Sequence, residues 1–530
     1  MKAKFNKRRW FAGALVVVVV AGGALEGCTS LPALGNRTVT SAEVDTGNTR
    51  LGKGVAGVVA DHPGKAGLIS LPQGRSAFAA RAMLANAAEK TLDVQYYMWH
   101  DDTTGKLLFA ALKAAAARGV RVRLLLDDNN TTGMDQLLVA LDSVPNMEVR
   151  LFNPFAMRTM RPLGFLTDFK RLNRRMHNKS FTADNQVTIV GGRNVGNEYF
   201  DAGSDVLFVD LDVIAMGPVV HEVSQDFDVY WNSKSAYPVK LLIKPDPKAN
   251  ALAELDKVAT DPDAREYLDE VKNTPFVEKL ENRSVKLEWA STQFVSDDPS
   301  KVLGEETHSE KMAPQLMALV GKPKQSLDLV SPYFVPGQSG YNLLAQMRAQ
   351  GKDVTVLTNS LEATDVAAVH AGYSNWRTPL LKTGVVLYEL RASPGAPSRK
   401  SFIGTGSGSG ASSGSSGSGS SGASLHAKTF EVDGEKIFIG SYNVDQRSRN
   451  LNTEMGLVVE SPLMAQQLAA SFKDNITERA YQVKLAPDGS LYWIGTQKGV
   501  VTRYTTEPGT SLLERMAVKV LSWLPIDWLL

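Results

Sequence analysis

"MHNKSFTADNQVTIVGGRN", residues Met176–Asn194, sets a histidine and a lysine two positions apart, an aspartate five beyond the lysine, an apolar run and a Gly-Gly-Arg-Asn turn. In an extended chain residues i and i+2 share a face, so His177 and Lys179 point together. The pair suits a phosphodiester: lysine offsets the charge of phosphate oxygens, and histidine, titrating near neutrality, attacks or moves protons. One such pair arises often by chance. It returns in "SLHAKTFEVDGEKIFIGSYN", Ser424–Asn443, where His426, Lys428, Asp433, an apolar strand, Gly-Ser and Asn443 keep the same order. Each copy is therefore half of one site, with Asn194, Asn443 and Ser441 candidates to donate hydrogen bonds to phosphate oxygens as charge builds in the transition state.

The flanking sequence is duplicated too. "TLDVQYYMWHDD" (Thr91–Asp102) alternates as a strand, "GKLLFAALKAAAARG" (Gly105–Gly119) reads as an Ala/Leu-rich helix, and "VRVRLLLDDNN" (Val120–Asn130) as a buried strand. The order recurs in "SLDLVSPYFVP" (Ser326–Pro336), "GYNLLAQMRAQG" (Gly340–Gly351) and "KDVTVLTNS" (Lys352–Ser360). This spacing predicts a βαβ unit with parallel pairing in each half. A chain of 530 residues has room for two such domains, since one core rarely serves beyond about 250–300 residues.

Five Lys and Arg in the first nine residues, the apolar run Trp10–Leu25 and then Gly27-Cys28 have the layout of a secretory signal, residues 1–27, with an uncleaved anchor as the alternative. The run is shorter than the ~20 residues of a comfortable membrane span. Leu25-Glu26-Gly27-Cys28 resembles the lipobox of bacterial lipoproteins, with Glu26 as the departure, and makes Cys28 the expected lipid attachment site. The expected location is the cell envelope of a Gram-negative-type bacterium, facing the periplasm, with Thr29 and Ser30 pointing to the outer membrane. Residues 1–27 hold five Lys or Arg and one Glu, so the formal charge moves from +2 for the whole chain to −2 for residues 28–530. That balance gives no support to sequence-independent nucleic-acid binding, and no nucleic-acid partner is expected. With a single cysteine and no metal-ligand spacing at His62, His100, His221, His308 or His370, no metal or other cofactor is expected.

Residues 28–66 read as a lipidated tether, 67–240 as the first domain, 241–285 as a helical linker, 286–485 as the second domain and 486–530 as a C-terminal segment. The Gly/Ser stretch 404–424 is a flexible coil with an r.m.s. span of about 25 Å, a tolerated insertion or a mobile flap. "FNPFAMRTMRPLGFLTDFKRLNRR" (Phe152–Arg175) reads either as a membrane-facing lip, its arginines, including Arg174 and Arg175, meeting anionic headgroups, or as a buried connection with a solvated basic face. Tyr373 and Arg377, in "HAGYSNWR", are candidates for headgroup selection, and His100 for the pocket lining. "SLLERMAVKVLSWLPIDWLL" (Ser511–Leu530) predicts a helix, broken at Pro525, that lies at a membrane interface or packs on the body.

His177-x-Lys179-x4-Asp184 with "GGRN", and His426-x-Lys428-x4-Asp433 with "GSYNVDQRSRNLNTE", resemble the paired motifs of the phospholipase D superfamily. "LDVQYYMWHDD", "RLLLDDNNTTG" and "GFLTDFKRLNRRMHNKSFTADNQ" are similar to its bacterial cardiolipin synthase C-type branch, over about residues 67–530. The resemblance implies two tandem α/β domains, each a mixed β-sheet flanked by helices, related by a pseudo-twofold axis and sharing one active site at their interface. It implies a phosphatidyltransferase that makes cardiolipin from phosphatidylglycerol and a second phospholipid, phosphatidylglycerol or phosphatidylethanolamine, through a phosphohistidine and without metal. A phospholipase D hydrolase releasing phosphatidic acid, and a phosphodiesterase or nuclease, are the alternatives. The implied partners are those phospholipids and a membrane. His177 is the implied nucleophile and His426 the acid/base, the near-symmetry leaving the reverse open. Each imidazole also needs an orienting carboxylate. Glu454 lies 28 residues after His426; Asp210 lies 33 after His177, with Asp212 as its competitor. Asp184 and Asp433 complete the motif set, and their place after each motif strand points to a structural role.

Overall fold

The computed structural model describes residues 30–35, 37–203, 207–307, 310–392, 423–473, 476–524 and 529–530. Cys28 and the signal segment, most of the Gly/Ser stretch, His308 and Pro525 lie outside them. The first half contributes strands β1 (Ala66–Leu71), β2 (Thr91–Tyr96), β3 (Arg121–Asp127), β4 (Met147–Phe152), β5 (Ser180–Ala183), β6 (Val187–Gly191), β7 (Leu207–Val209), β8 (Asp212–Met216) and β9 (Ala236–Pro238). The second contributes β10 (Glu288–Ser296), β11 (Ser326–Val330), β12 (Asp353–Asn359), β13 (Val386–Leu390), β14 (Ala423–Leu425), β15 (Lys428–Val432), β16 (Lys436–Gly440), β17 (Met455–Glu460), β18 (Ala480–Leu485), β19 (Leu491–Gln497) and β20 (Val500–Tyr504).

Spatial order is β9-β4-β3-β2-β5-β6-β8-β1 in the first half. It is β18-β13-β12-β11-β15-β16-β17-β10 in the second, position for position the same. Within these two orders β2-β3-β4 and β11-β12-β13 run parallel and the other pairings antiparallel, so each sheet is mixed. The parallel strands β2 and β3 are buried almost throughout although polar residues alternate along them, Asp93 of β2 being paired with Arg123 of β3 at 2.6 Å. The helix Thr103–Ala117 crosses from β2 to β3: Asp102 caps its N-terminus by accepting from the Gly105 N–H, and Gly119 (φ +95) follows its end.

The halves join twice. β1 pairs antiparallel with β10. Val190, Val213 and Ala215 of β6 and β8 form one buried cluster with Ile437, Ile439, Leu457 and Val459 of β16 and β17. Burial of each such side chain is worth roughly 1.5–3 kcal/mol, so this apolar seam fixes the relation of the halves and of everything placed along it.

Two expectations change. Part of the 28–66 tether is docked: the Arg150 guanidinium donates to the Thr38 carbonyl at 2.6 Å, Trp231 Nε1 to Thr40 Oγ1 at 3.0 Å, and the Ala42 N–H to Asp228 at 2.8 Å, ahead of a helix at Arg50–Ala60. Its small polar residues satisfy buried donors that would otherwise be orphaned. In the C-terminal segment, β19 and β20 extend the second sheet, with Trp493 buried in its core.

Candidate active site

Each motif histidine leads an extended segment into a hairpin, β5-β6 or β15-β16. The hairpin turns carry Asp184 (φ 50), Asn185 (φ 51), Asp433 (φ 58) and Gly434 (φ 65), left-handed positions that these residue types tolerate. The Asp184 carboxylate accepts the N–H groups of Glu89, Lys90 and Thr91, and Asp433 those of Lys324, Gln325 and Ser326. Both are staples on the entry to β2 or β11, at the hairpin end away from the histidines.

The histidines themselves are positioned across the interface. The His177 N–H donates to the Thr453 carbonyl at 2.9 Å, and Thr453 N–H to Arg175 at 2.9 Å. On the other side β14 pairs parallel with β7, Leu425 opposite Val209, and the His426 N–H donates to Val209 at 2.8 Å. One residue further along each pairing stands a carboxylate. Nδ1 of His177 lies 2.7 Å from Glu454 Oε2, and Nδ1 of His426 lies 2.6 Å from Asp210 Oδ2. The sequence separations had put Glu454 with His426 and Asp210 with His177; the structure exchanges them, so each histidine is oriented by the other half. Asp212 takes no part, being bound to Arg81 at 2.8 Å and Arg193 at 3.5 Å.

The difference between "GGRN" and "GSYN" follows from the carboxylates. Ser441 Oγ donates to Glu454 Oε2 at 2.5 Å, and Ser448 Oγ to Oε1 at 2.7 Å. At the position equivalent to Ser441 stands Gly192, where a Cβ would lie 2.2 Å from Asp210 Oδ1. Serine holds the longer acid; glycine makes room for the shorter one. Two further positioning residues escaped the sequence reading. Asp127, ending β3, accepts the Met176 N–H at 2.8 Å, and Asn359, ending β12, accepts the Leu425 N–H at 2.9 Å. Each clamps the residue before a motif histidine. Their signal is a polar residue at the carboxyl end of a buried parallel strand, where open α/β sheets place functional groups.

The four catalytic-type side chains are nearly sealed: His177 and His426 are 7% and 6% exposed, Lys179 and Lys428 1% and 2%. Lys179 donates to the His177 carbonyl at 2.5 Å, and Lys428 Nζ lies 3.0 Å from His426 Nδ1. Burial, then the neighbouring lysines, push His177 well below its ordinary value; burial and Lys428 take His426 down to about 3, against the opposing pull of Asp210. Burial also lowers Lys428 to about 8 and raises Glu454 to about 7. Burial works against ionising Asp210 as well, yet His426 and Lys428 hold it at about 2. The site thus contains two neutral imidazoles and crowded ammonium groups that an anion would relieve. Nε2 is the nitrogen of each ring not committed to a carboxylate.

Aromatic edges pack on both rings, Tyr97 on His177 and Tyr199 on His426, each with centroids 5.0 Å apart. Asn194, expected at the phosphate, spends its amide on Tyr199 Oη at 3.0 Å and accepts from the Met98 N–H at 3.2 Å. Asn443 Oδ1 is buried with no hydrogen-bond partner among the described residues. The proposed headgroup contacts are structural instead. Arg175 is paired with Asp127 at 2.7 Å and Arg174 donates to the Lys301 carbonyl at 2.6 Å. Tyr373 donates to Glu389 at 3.0 Å, and Arg377 bridges Glu389 at 2.8 Å and Glu507 at 2.6 Å, all inside the second half. Arg158, Arg161 and Arg171 of the expected lip are likewise held by Asp128, Asp135 and Asp168. The lip exposes Lys170 together with apolar side chains: Leu166 is 82% exposed, with Met160, Leu163 and Phe169 beside it in sequence.

Residues 82–231 and 316–476 match the family described as cardiolipin synthase, PLD-like domain. Cardiolipin synthase C of Escherichia coli (strain K12) is 47% identical over 484 residues, 91% of this chain and 100% of that protein. The major cardiolipin synthase of Bacillus subtilis (strain 168) is 24% identical over 412 residues, 77% of this chain and 68% of that protein. Among solved structures, phosphatidylserine synthase of Haemophilus influenzae Rd KW20 shares the fold with a TM-score of 0.52 at 14% identity, over 81% of this chain and 91% of that one. With two equivalent mixed α/β halves, paired His-x-Lys motifs and this similarity along nearly its whole length, the chain belongs to the cardiolipin synthase, PLD-like domain family of the phospholipase D superfamily.

Proposed function

We propose that the chain is a phosphatidyltransferase that makes cardiolipin by passing a phosphatidyl group to the glycerol headgroup of phosphatidylglycerol. The observation that carries the reading is the pair of crossed histidine–carboxylate contacts at one interface, in a chain 47% identical to cardiolipin synthase C of E. coli. In the first step His177 Nε2 attacks the donor phosphorus, and the ester bond to the headgroup breaks. The departing alkoxide takes a proton from the His426 imidazolium, leaving a phosphatidyl-histidine. In the second step the hydroxyl of phosphatidylglycerol gives its proton to His426, its oxygen bonds to phosphorus, and the His177 N–P bond breaks. Cardiolipin forms, the donor headgroup having left in the first step as glycerol or ethanolamine. Both imidazoles are neutral in the free site; Asp210 already opposes the lowering at His426, and the anionic phosphodiester adds to that pull, so His426 takes up the proton as substrate binds. Lys179 and Lys428 compensate the charge building on the phosphorane oxygens.

The reading extends to the membrane: a lipid anchor at Cys28 and an apolar contact surface. That surface comprises Met160, Leu163, Leu166 and Phe169 together with the outer face of the helix Leu512–Leu521, where Leu513 is 77% exposed and Trp523, just beyond, 70%. The inner face of that helix packs on the body through Val518. No helix of the described residues is long and apolar enough to cross a membrane.

The test is product analysis with purified protein in detergent–lipid micelles and labelled phosphatidylglycerol, with and without phosphatidylethanolamine, beside His177→Ala and His426→Ala. Cardiolipin formed by the wild type and by neither variant is expected. Phosphatidic acid as the sole product would replace the reading with a hydrolase.

A further inference from the structure

The pseudo-twofold repeat is also broken, with a change of charge sign, just beyond the two motif asparagines. Counting from Asn194 and Asn443, the fourth residue onward is Glu198 in the first half and Arg447 in the second. Arg447 is 9% exposed and its guanidinium is spent on Asn173, Asn452 and the Leu529 carbonyl; its charge is felt at His177 and Tyr97. Glu198 sits on the opposite side. It precedes Tyr199, whose ring packs on His426, and its carboxylate lies within electrostatic reach of that imidazole. Its side chain is 22% exposed, and Oε1 meets His100 Nδ1, itself 24% exposed, at 3.1 Å. Gly196 makes the approach possible: a Cβ there would lie 2.8 Å from Glu198 Oε2 and 2.9 Å from His100 Nδ1.

The cradle therefore has a lysine at each histidine, the further charge of Arg447 on the His177 side, and a solvent-reachable carboxylate on the His426 side. A carboxylate next to a phosphodiester is unfavourable unless it faces the uncharged or cationic part of the substrate. We infer that Glu198, held by His100, is the specificity-determining contact for the alcohol headgroup that leaves from and enters at the His426 side, taking a second hydroxyl or an ammonium group. Asp102 lies near the same pair, and the three residues could together approach a cation. Both Asp102 oxygens, however, already accept N–H groups, from Gly105 and Asn197, and Glu198 and His100 are bonded to each other. The arrangement fits an organic headgroup better than a bare ion.

The inference rests on the transferase reading, and the test separates the two. Full-length protein in micelles is offered unlabelled phosphatidylglycerol with labelled glycerol or labelled ethanol as acceptor and the lipid-bound label is read, ethanol presenting the reacting hydroxyl and nothing for Glu198 to hold. Glu198→Gln is expected to raise the apparent KM for glycerol about tenfold, the size of one lost charge-assisted hydrogen bond, with transfer to ethanol and the thermal midpoint unchanged. His100→Gln reads the same discrimination, in smaller measure, and replaces Glu198→Gln should that variant fail to fold. An equal loss for both acceptors, or an unchanged preference for glycerol, overturns the inference. Wild-type protein that transfers to no alcohol overturns the transferase reading instead.

Discussion

A carboxylate on Nδ1 keeps the proton there and leaves Nε2 its lone pair, and at His177 that carboxylate is Glu454. Glu454→Gln keeps the shape, but an amide N–H turned toward Nδ1 selects the opposite tautomer. Turnover per folded molecule is expected to fall about a thousandfold or more, read as cardiolipin formed. The same variant has a signature in stability. Glu454 is raised from an ordinary 4.5 to about 7, so between those values the folded state holds a proton that the unfolded state has released. Its contribution is present below about pH 4.5 and is lost as pH rises through about 7, where ∂ΔG/∂pH is negative. Glutamine does not titrate, so the thermal midpoint of the variant relative to wild type should rise from pH 5 to pH 8; parallel curves would contradict the assignment. Gly192→Ala tests the other acid. Displacing Asp210 from His426 should cost about a hundredfold in turnover, since misplacements near 1 Å carry that penalty. The His-x-Lys pairs were legible because i and i+2 geometry is local. The crossing of Glu454 and Asp210 was not, because which half supplies a carboxylate depends on the β7-β14 pairing and its counterpart at Met176 and Thr453, contacts between distant segments.

At the scale of elements, alternation and Ala/Leu runs gave β2, β3, β11, β12 and the helices between them, since those signals are local. Residues 37–42 read as linker because their composition is small and polar, while their role is set by Arg123, Arg150 and Trp231, far away in sequence. Asp184 and Asp433 complete the motif set, their place after each motif strand pointed to a structural role, and each accepts N–H groups at the entry to β2 or β11. Asp184→Ala should lower unfolding stability by about 3 kcal/mol, three N–H groups losing a buried charged acceptor, with a smaller loss for the more open Asp433→Ala. Denaturant midpoints measure both, and turnover of the folded fraction should stay at the wild-type level.

For the whole molecule, the seam between β6-β8 and β16-β17 sets the two half-sites face to face, and Leu163, Leu166 and Phe169 are exposed on the short helices Arg161–Thr167 and Phe169–Leu172. The double variant Leu166→Asp, Phe169→Asp should lower retention on anionic vesicles about tenfold in a sedimentation assay, the scale of losing one or two inserted side chains. Unchanged retention would remove these residues from the contact surface. The central claim is that His177, neutral and oriented from the other half, takes the phosphatidyl group while His426 moves the proton. The direct measurement is rapid acid- or base-quench of the wild-type enzyme turning over labelled phosphatidylglycerol, followed by peptide mapping of the bound label. Label on His177, absent in His177→Ala, is the predicted result; label on His426, or transfer with inversion at phosphorus and no bound label, would contradict it.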